Sequence, residues 1–219
     1  MTNSAPLTRS VVLDYDGTVT ESDLLDRIAK EFGDPAVYQE VEDGLDEGRM
    51  PLREVITREF APVTASLDEV VTWVLEHARI RPGFADFVQG ARAGGWEIHI
   101  VSSGFHELIE PVLERERVDV AVHANRVDAR PDGWIVEWRY PDDCDECGES
   151  CKRSLLPPGE VVYVGDGYSD RCAALAVDRV FATAGLARYL AARGVPFEPF
   201  SDFHALSRAL ADGIPMCSS

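Results

Sequence analysis

The chain has 219 residues, 45% hydrophobic and 27% charged, with a net charge of −18; that length suffices for one α/β domain with a sizeable core plus a small accessory unit. So acidic a surface repels nucleic acid and anionic membranes, both of which need basic patches, and the longest apolar runs are too short to span a bilayer. Met1–Arg9 has neither a basic start nor an apolar run, so no signal peptide is expected and the cytoplasm is the expected compartment.

The first element is a short buried strand at Ser10–Leu13, an apolar, β-branched run closed by a turn at Gly17. Asp14 and Asp16 follow it at i and i+2. Asp and Gly are ordinary turn residues. At a strand's carboxyl end, however, both carboxylates can also face one crevice, where α/β sheets bind their ligands. There one could attack phosphorus and the other serve as acid and base. A calcium loop beginning at Asp14 is excluded, because its sixth and twelfth positions, Gly and Glu in such loops, hold Val19 and Leu25.

Helices are predicted over Ser22–Phe32, with Ser22 or Asp23 as N-cap, over Ala36–Glu47, from Pro51 to Phe60, and over Leu67–Leu75. A helix at Phe84–Ala93 leads to a strand at Trp96–Val101, ended by Ser102, Ser103 and Gly104. Next come a helix over His106–Glu116 and a strand near Val118–Val122. Arg126–Tyr140 reads as a hairpin turning at Pro131-Asp132-Gly133. After Cys144, Cys147, Cys151 and Lys152 the pattern gives a strand at Val161–Val164, a helix over Ser169–Ala176, a strand at Arg179–Ala182, and helices over Leu186–Arg193 and Asp202–Ala211.

Alternating strands and helices imply a mostly parallel sheet. About 80 residues separate the first two strands, while a crossover takes about a dozen. The surplus helices, residues 21–82, are therefore expected to form a cap over the crevice, with 1–20 and 83–219 as the core. Three sheet strands end in polar, glycine-bearing turns, at Asp14–Gly17, Ser102–Gly104 and Gly165–Gly167. In a parallel sheet those ends lie on one edge.

Asp14-Tyr15-Asp16-Gly17-Thr18, Ser102, Lys152 and Gly165-Asp166-Gly167-Tyr168-Ser169-Asp170 occur in that order, and together they resemble the signature of the haloacid-dehalogenase (HAD) superfamily phosphatases. The resemblance implies a Rossmann-like fold with an inserted helical cap and a β-hairpin flap. It also implies Mg²⁺-dependent hydrolysis of a small phosphomonoester through an aspartyl-phosphate, in a monomer or homodimer with no nucleic-acid or membrane partner. In it Asp14 is the nucleophile and Asp16 the acid and base. Asp14, the Asp16 carbonyl and Asp166 hold the metal, and Asp170 orients Lys152 or a metal-bound water. Lys152 neutralises developing charge, while Thr18, Asp23, Ser102, Ser103 and Gly104 face the substrate. Within the superfamily the chain is similar to phosphoserine-phosphatase-like members. Through Met50–Glu54, Leu75–Phe84 and the cysteines before Lys152 it is closer to the 2-hydroxy-3-keto-5-methylthiopentenyl-1-phosphate phosphatases of methionine salvage. The place of the phosphoserine enzymes' cap Glu holds Asp23, and that of their cap Arg falls near Thr57-Arg58. A phosphomutase and a non-catalytic phosphometabolite-binding protein are the other readings.

The cysteines form C-x2-C-x3-C. They read either as a Zn²⁺ knuckle, with Asp142, Asp145 or His123 as fourth ligand, or as reduced thiols or one disulfide. Cys172, among Ala173, Ala174 and Leu175, is expected in the core. His106 and Tyr168 are candidates to line the crevice, each with a bland alternative as a solvated or packed side chain. Trp134 and Trp138 share one face of the hairpin, which suggests core packing.

Overall fold

The computed structural model describes residues 8–139, 144–149 and 151–212. Tyr140, Asp142 and Cys217 lie outside them. Among the described residues a sheet of seven strands runs in the order β4-β3-β2-β1-β5-β6-β7. Its strands are β1 (Arg9–Leu13), β2 (Trp96–Phe105), β3 (Ala121–Arg130), β4 (Gly133–Glu137), β5 (Glu160–Gly165), β6 (Arg179–Ala182) and β7 (Glu198–Pro199). All neighbours are parallel except β3 and β4.

β1 is central because it is apolar on both sides. Alternate residues of a strand face opposite ways. Val11 and Leu13 join one core cluster and Val12 the other, all three fully buried. The first cluster is covered by α5 (Phe84–Ala93), α6 (His106–Arg115) and α9 (Phe203–Asp212), with the rings of Phe84 and Phe87 tilted against Phe203 at 5.0 and 5.3 Å between centroids. The second lies under α7 (Arg171–Ala174) and α8 (Ala184–Ala192). In register, Leu13 faces Ile100 of β2 and Val164 of β5, so the loops that follow these strands meet at one edge.

Between β1 and β2 lie α1 (Leu24–Phe32), α2 (Pro35–Asp46), α3 (Leu52–Phe60) and α4 (Leu67–His77). Asp23 caps α1 by accepting from Asp26 N, and Asp34 caps α2 ahead of Pro35. Pro51, expected inside α3, is its N-cap in extended backbone. No helix among the described residues is long and apolar enough to cross a membrane.

Several boundaries differ from the sequence expectation. β2 continues through Ser102, Ser103 and Gly104 to Phe105, with an irregularity in its pairing to β3 after Val101. Its glycine reads as a turn, whereas here it sits in a bulged strand end. The expected strand at Val118–Val122 and the first arm of the hairpin are one strand: β3 pairs with β2 up to Asn125 and with β4 from Arg126. The helix expected from Ser169 to Ala176 is only α7, preceded by a turn in which the Asp166 and Gly167 N–H groups donate to the Asp170 carboxylate. The hairpin packs on α3 and the chain after it. Trp134 is buried, stacks on Phe60 and donates to Ala65 O at 2.9 Å, while the half-buried Trp138 donates to Thr57 Oγ1 at 3.2 Å.

Candidate active site

The loop after β1 sets the centre of the site. Gly17 takes φ +74°, and a Cβ there would fall 2.3 Å from Asp166 Oδ2, so both the turn and the close approach of Asp166 need glycine. Thr20 Oγ1 accepts from Gly17 N at 3.1 Å. The Arg81 guanidinium donates to Gly17 O at 2.6 Å and Thr18 O at 2.8 Å, holding the loop from behind.

Asp14 is 5% exposed and pairs with the buried Lys152, whose Nζ also donates to Asp170 Oδ1 at 2.7 Å. Asp170 is fully buried. It accepts in addition from Tyr163 OH at 2.7 Å and from the backbone N–H groups of Asp166 and Gly167 at 2.9 Å each. A side chain at Gly165 would come within 2.6 Å of the Asp170 carboxyl, so this wrapped turn also depends on glycine. Burial opposes the Lys152 charge, but Asp14 and Asp170 outweigh it and hold its pKa above the ordinary value. Burial, and then the Asp170 charge, push the Asp14 carboxyl well up, with Lys152 offsetting part of this.

Asp14, Asp166 and Asp170 bring carboxylate oxygens within 4.8 Å of one another. Asp166 is pushed up to about 6 by burial and by the Asp170 charge. One lysine does not neutralise three crowded carboxylates, and an all-oxygen donor set suits a hard divalent cation such as Mg²⁺. Asp170 spends its oxygens on Lys152, Tyr163 and two N–H groups, so Asp14 and Asp166 are the side chains with capacity for a metal. Thr18 is fully buried, with Oγ1 3.4 Å from Asp166 Oδ1 and not toward the cavity.

Asp16 accepts from Leu24 N and Leu25 N at 3.1 and 3.3 Å, at the start of α1. Burial, then the Asp23 charge, raise its pKa to about 8, against the N–H groups and Lys152. Near neutrality it therefore carries a proton that it can give away. Ser102 is buried and accepts from Gly104 N at 2.9 Å, which leaves its own proton to donate. Asn125 braces this strand end, donating to Ser103 O at 2.8 Å.

These groups open into one cavity of about 310 Å³. Asp14, Asp16, Asp166, Ser102, Ser103 and Gly104 form its floor, with Asp23 at its side and Tyr168 and Arg171 at the rim. The helices above contribute the apolar Leu45, Leu52, Val55 and Ile56 and the acidic Glu42 and Glu59, so the cation among the described lining residues is Arg171 at the rim. Glu59 is 7% exposed and raised to about 8 by burial first, then by Glu42, Asp26 and Asp23.

Comparison with known proteins identifies the family. Residues 11–175 match the family described as haloacid dehalogenase-like hydrolase. The chain belongs to that family. The 2-hydroxy-3-keto-5-methylthiopentenyl-1-phosphate phosphatase of Bacillus velezensis is 31% identical over 213 residues, covering 91% of this chain and 88% of that protein. The enzyme of the same name from Brevibacillus brevis is 29% identical over 209 residues, with 90% and 92% covered. In fold the chain is similar to a phospho-aspartyl intermediate analogue of phosphoserine phosphatase, with a TM-score of 0.69 at 15% identity over 93% of this chain and 99% of that one. The protein is thus a HAD-fold phosphatase, as its motifs imply, and phosphatases of this family generally use Mg²⁺.

Other expectations fare differently. His106 does not line the cavity: its Nε2 accepts from Ala124 N at 3.3 Å and its Nδ1 meets Glu110 at 2.8 Å, so it ties α6 to β3. Arg58, near the place of the phosphoserine enzymes' cap arginine, pairs with Glu40 at 2.9 Å and does not line the cavity. Cys172 is not a core residue: it is half-buried, with its sulfur 3.9 Å from that of Cys144. His123 lies against His99, at 3.3 Å, and neither it nor Asp145 joins the cysteine group. Sequence reasoning missed Glu59, Asn125 and Arg81. Glu59 left a signal, since it stands three residues after Ile56 and beside Phe60 on the apolar face of α3.

Proposed function

We propose that the chain hydrolyses a small, uncharged-tailed phosphomonoester, 2-hydroxy-3-keto-5-methylthiopentenyl-1-phosphate or a close relative. The cavity carries this reading. Its wall above the carboxylates is half apolar and half acidic; the cation among its described lining residues, Arg171, sits at the rim against Tyr168 and Tyr189, so the helices above the carboxylates offer none to a carboxylate such as that of phosphoserine. The named compound has a hydroxyl and a keto group near the phosphate, and a methylthio end. The hydroxyl can donate to Asp23, a protonated Glu59 can donate to the keto oxygen, and Leu45, Leu52, Val55 and Ile56 suit the methylthio end. Residues 21–82 act as the cap that excludes water and selects the substrate.

In the reaction Asp14 Oδ attacks phosphorus in line with the leaving oxygen and becomes an aspartyl-phosphate. Asp16 gives its proton to the departing alkoxide, then takes one from the water that cleaves the intermediate. Lys152, Ser102 and the Ser103–Gly104 backbone meet the phosphoryl oxygens, and Asp170 holds Lys152 in place. Asp14, Asp166 and the Asp16 carbonyl would hold Mg²⁺, which would supply charge neutralisation at the phosphoryl group. Cys144, Cys147 and Cys151 hold a structural Zn²⁺. The protein acts in the cytoplasm as a monomer or homodimer, without nucleic acid or membrane.

The test is kcat/KM for phosphate release, with Mg²⁺, from 2-hydroxy-3-keto-5-methylthiopentenyl-1-phosphate and from phosphoserine. A preference of at least about 100-fold for the first is expected, because an unpaired carboxylate in an acidic cavity costs several kcal/mol. Equal or greater activity on phosphoserine would overturn the substrate reading. Free phosphate without a bisphosphate activator separates hydrolysis from phosphomutase action, and no turnover of any monoester would point to a binding protein.

A further inference from the structure

A second cluster of reactive side chains lies beside the catalytic cleft. Cys144, Cys147 and Cys151 come from the segment before Lys152, and Cys172 from α7, two residues after Asp170. The four sulfurs lie within 4.8 Å of one another, and all four thiols are free. Cys144 and Cys172 are 3.9 Å apart. A disulfide needs about 2.05 Å. Two corners of a tetrahedron drawn about 2.3 Å around zinc stand about 3.8 Å apart. The spacing is that of metal ligands.

The surroundings suit a tetrathiolate centre, which carries two negative charges with zinc in place. Arg153, Arg171 and Arg193 line the surface cleft that borders Cys147, Cys151 and Cys172, together with Glu146 and Glu149. The loop is already folded around the cluster, with Cys144 N donating to Glu149 O at 2.8 Å and Gly148 N to Cys144 O at 2.7 Å. Glu149 then reaches two parts of the active site. Its carboxylate accepts from Leu52 N, at the start of α3, at 2.9 Å, and from Tyr168 OH at 3.2 Å.

We propose that Cys144, Cys147, Cys151 and Cys172 bind one structural zinc ion, and that this ion locks the segment carrying Glu149 and Lys152 onto α7. The proposal rests on the zinc reading of the three-cysteine segment and completes it with a ligand from a different part of the chain. Its consequence is positional. Cys151 adjoins Lys152, and Cys172 is two residues from Asp170, so the ion ties together the two backbones whose side chains form the Lys152–Asp170 pair. Zinc binding releases the thiol protons to solvent and leaves four thiolates. The cysteines touch no reacting atom and act through Lys152.

The experiment uses the full chain, purified from zinc-supplemented cells without chelator. Elemental analysis should give about one zinc per chain, and Co²⁺ exchanged into the site should show the intense visible bands of tetrahedral thiolate coordination. Cys172→Ser should lose the metal. With saturating Mg²⁺ it should also lose kcat on p-nitrophenyl phosphate by about 10- to 100-fold, with little change in KM, the size expected for a misplaced catalytic group. The same substitution in a Lys152→Ala background should cost nothing further, since both act through one side chain. No zinc in the wild-type chain, or iron in its place, overturns the zinc reading and the proposal together. Full zinc retention by Cys172→Ser overturns the fourth ligand alone. Equal losses of kcat in the two backgrounds overturn the positional role.

Discussion

Glu59→Gln is the substitution that reads the cap's electrostatics directly. Glu59 is raised from its usual value of 4.5 to about 8, by burial first and then by Glu42, Asp26 and Asp23. Between those two pH values the folded chain holds a proton that the unfolded chain has released. Stability therefore falls as pH rises through this window; the penalty is absent below about pH 4.5 and complete above about pH 8. Each pKa unit is about 1.4 kcal/mol, so the ceiling is about 5 kcal/mol. Water in the adjoining cavity solvates part of the carboxylate, and about 1–3 kcal/mol is the expected share. Gln keeps the shape and removes the charge. In calorimetry the variant should melt within about 1 °C of the wild type at pH 5, and about 3–10 °C above it at pH 9, at about 2–4 °C per kcal/mol for a chain of this size. An equal difference at both pH values, or a variant less stable at pH 9, would refute the assignment of this charge to a desolvated site.

Asp16→Asn should slow alkyl phosphates by about 10²- to 10⁴-fold and p-nitrophenyl phosphate less, because nitrophenolate leaves without a proton; a burst of phenolate followed by slow turnover is the expected trace, and equal losses on both substrates would remove Asp16 from the acid role. Asp166→Ala should weaken Mg²⁺ binding, read by calorimetric titration, while keeping the fold. Asp170→Ala should instead unfold more easily by about 1–3 kcal/mol, measured by urea titration, since it leaves the Tyr163 hydroxyl and two buried N–H groups without their acceptor while Lys152 keeps Asp14.

The sequence carried the carboxylate cluster on the cavity floor because that cluster is local. Asp14, Asp16 and Gly17 follow one apolar strand, and Asp166 and Asp170 follow another. Strand ends in a parallel sheet converge whatever the details of the loops. The helices between Leu24 and His77 were legible from their apolar faces, although the Asp34 cap of α2 and the capping place of Pro51 were not. What the pattern did not carry was tertiary. The stretch His123–Arg126 does not announce that one strand changes partner from parallel β2 to antiparallel β4. Cys172 reads as one small residue among alanines until α7 is placed against the cysteine loop. Arg81 and Asn125 act by holding backbone carbonyls far away in sequence, at Gly17 and Ser103, and no local spacing marks that.

The central claim is that phosphate passes through Asp14. Its most direct test is rapid acid quench of the enzyme with phosphorus-labelled substrate, followed by peptide mapping of the protein-bound label. The account predicts a hydroxylamine-labile acyl-phosphate on the peptide containing Asp14, more abundant in Asp16→Asn and absent in Asp14→Asn. Turnover without any protein-bound phosphate, or label on a different residue, would contradict it.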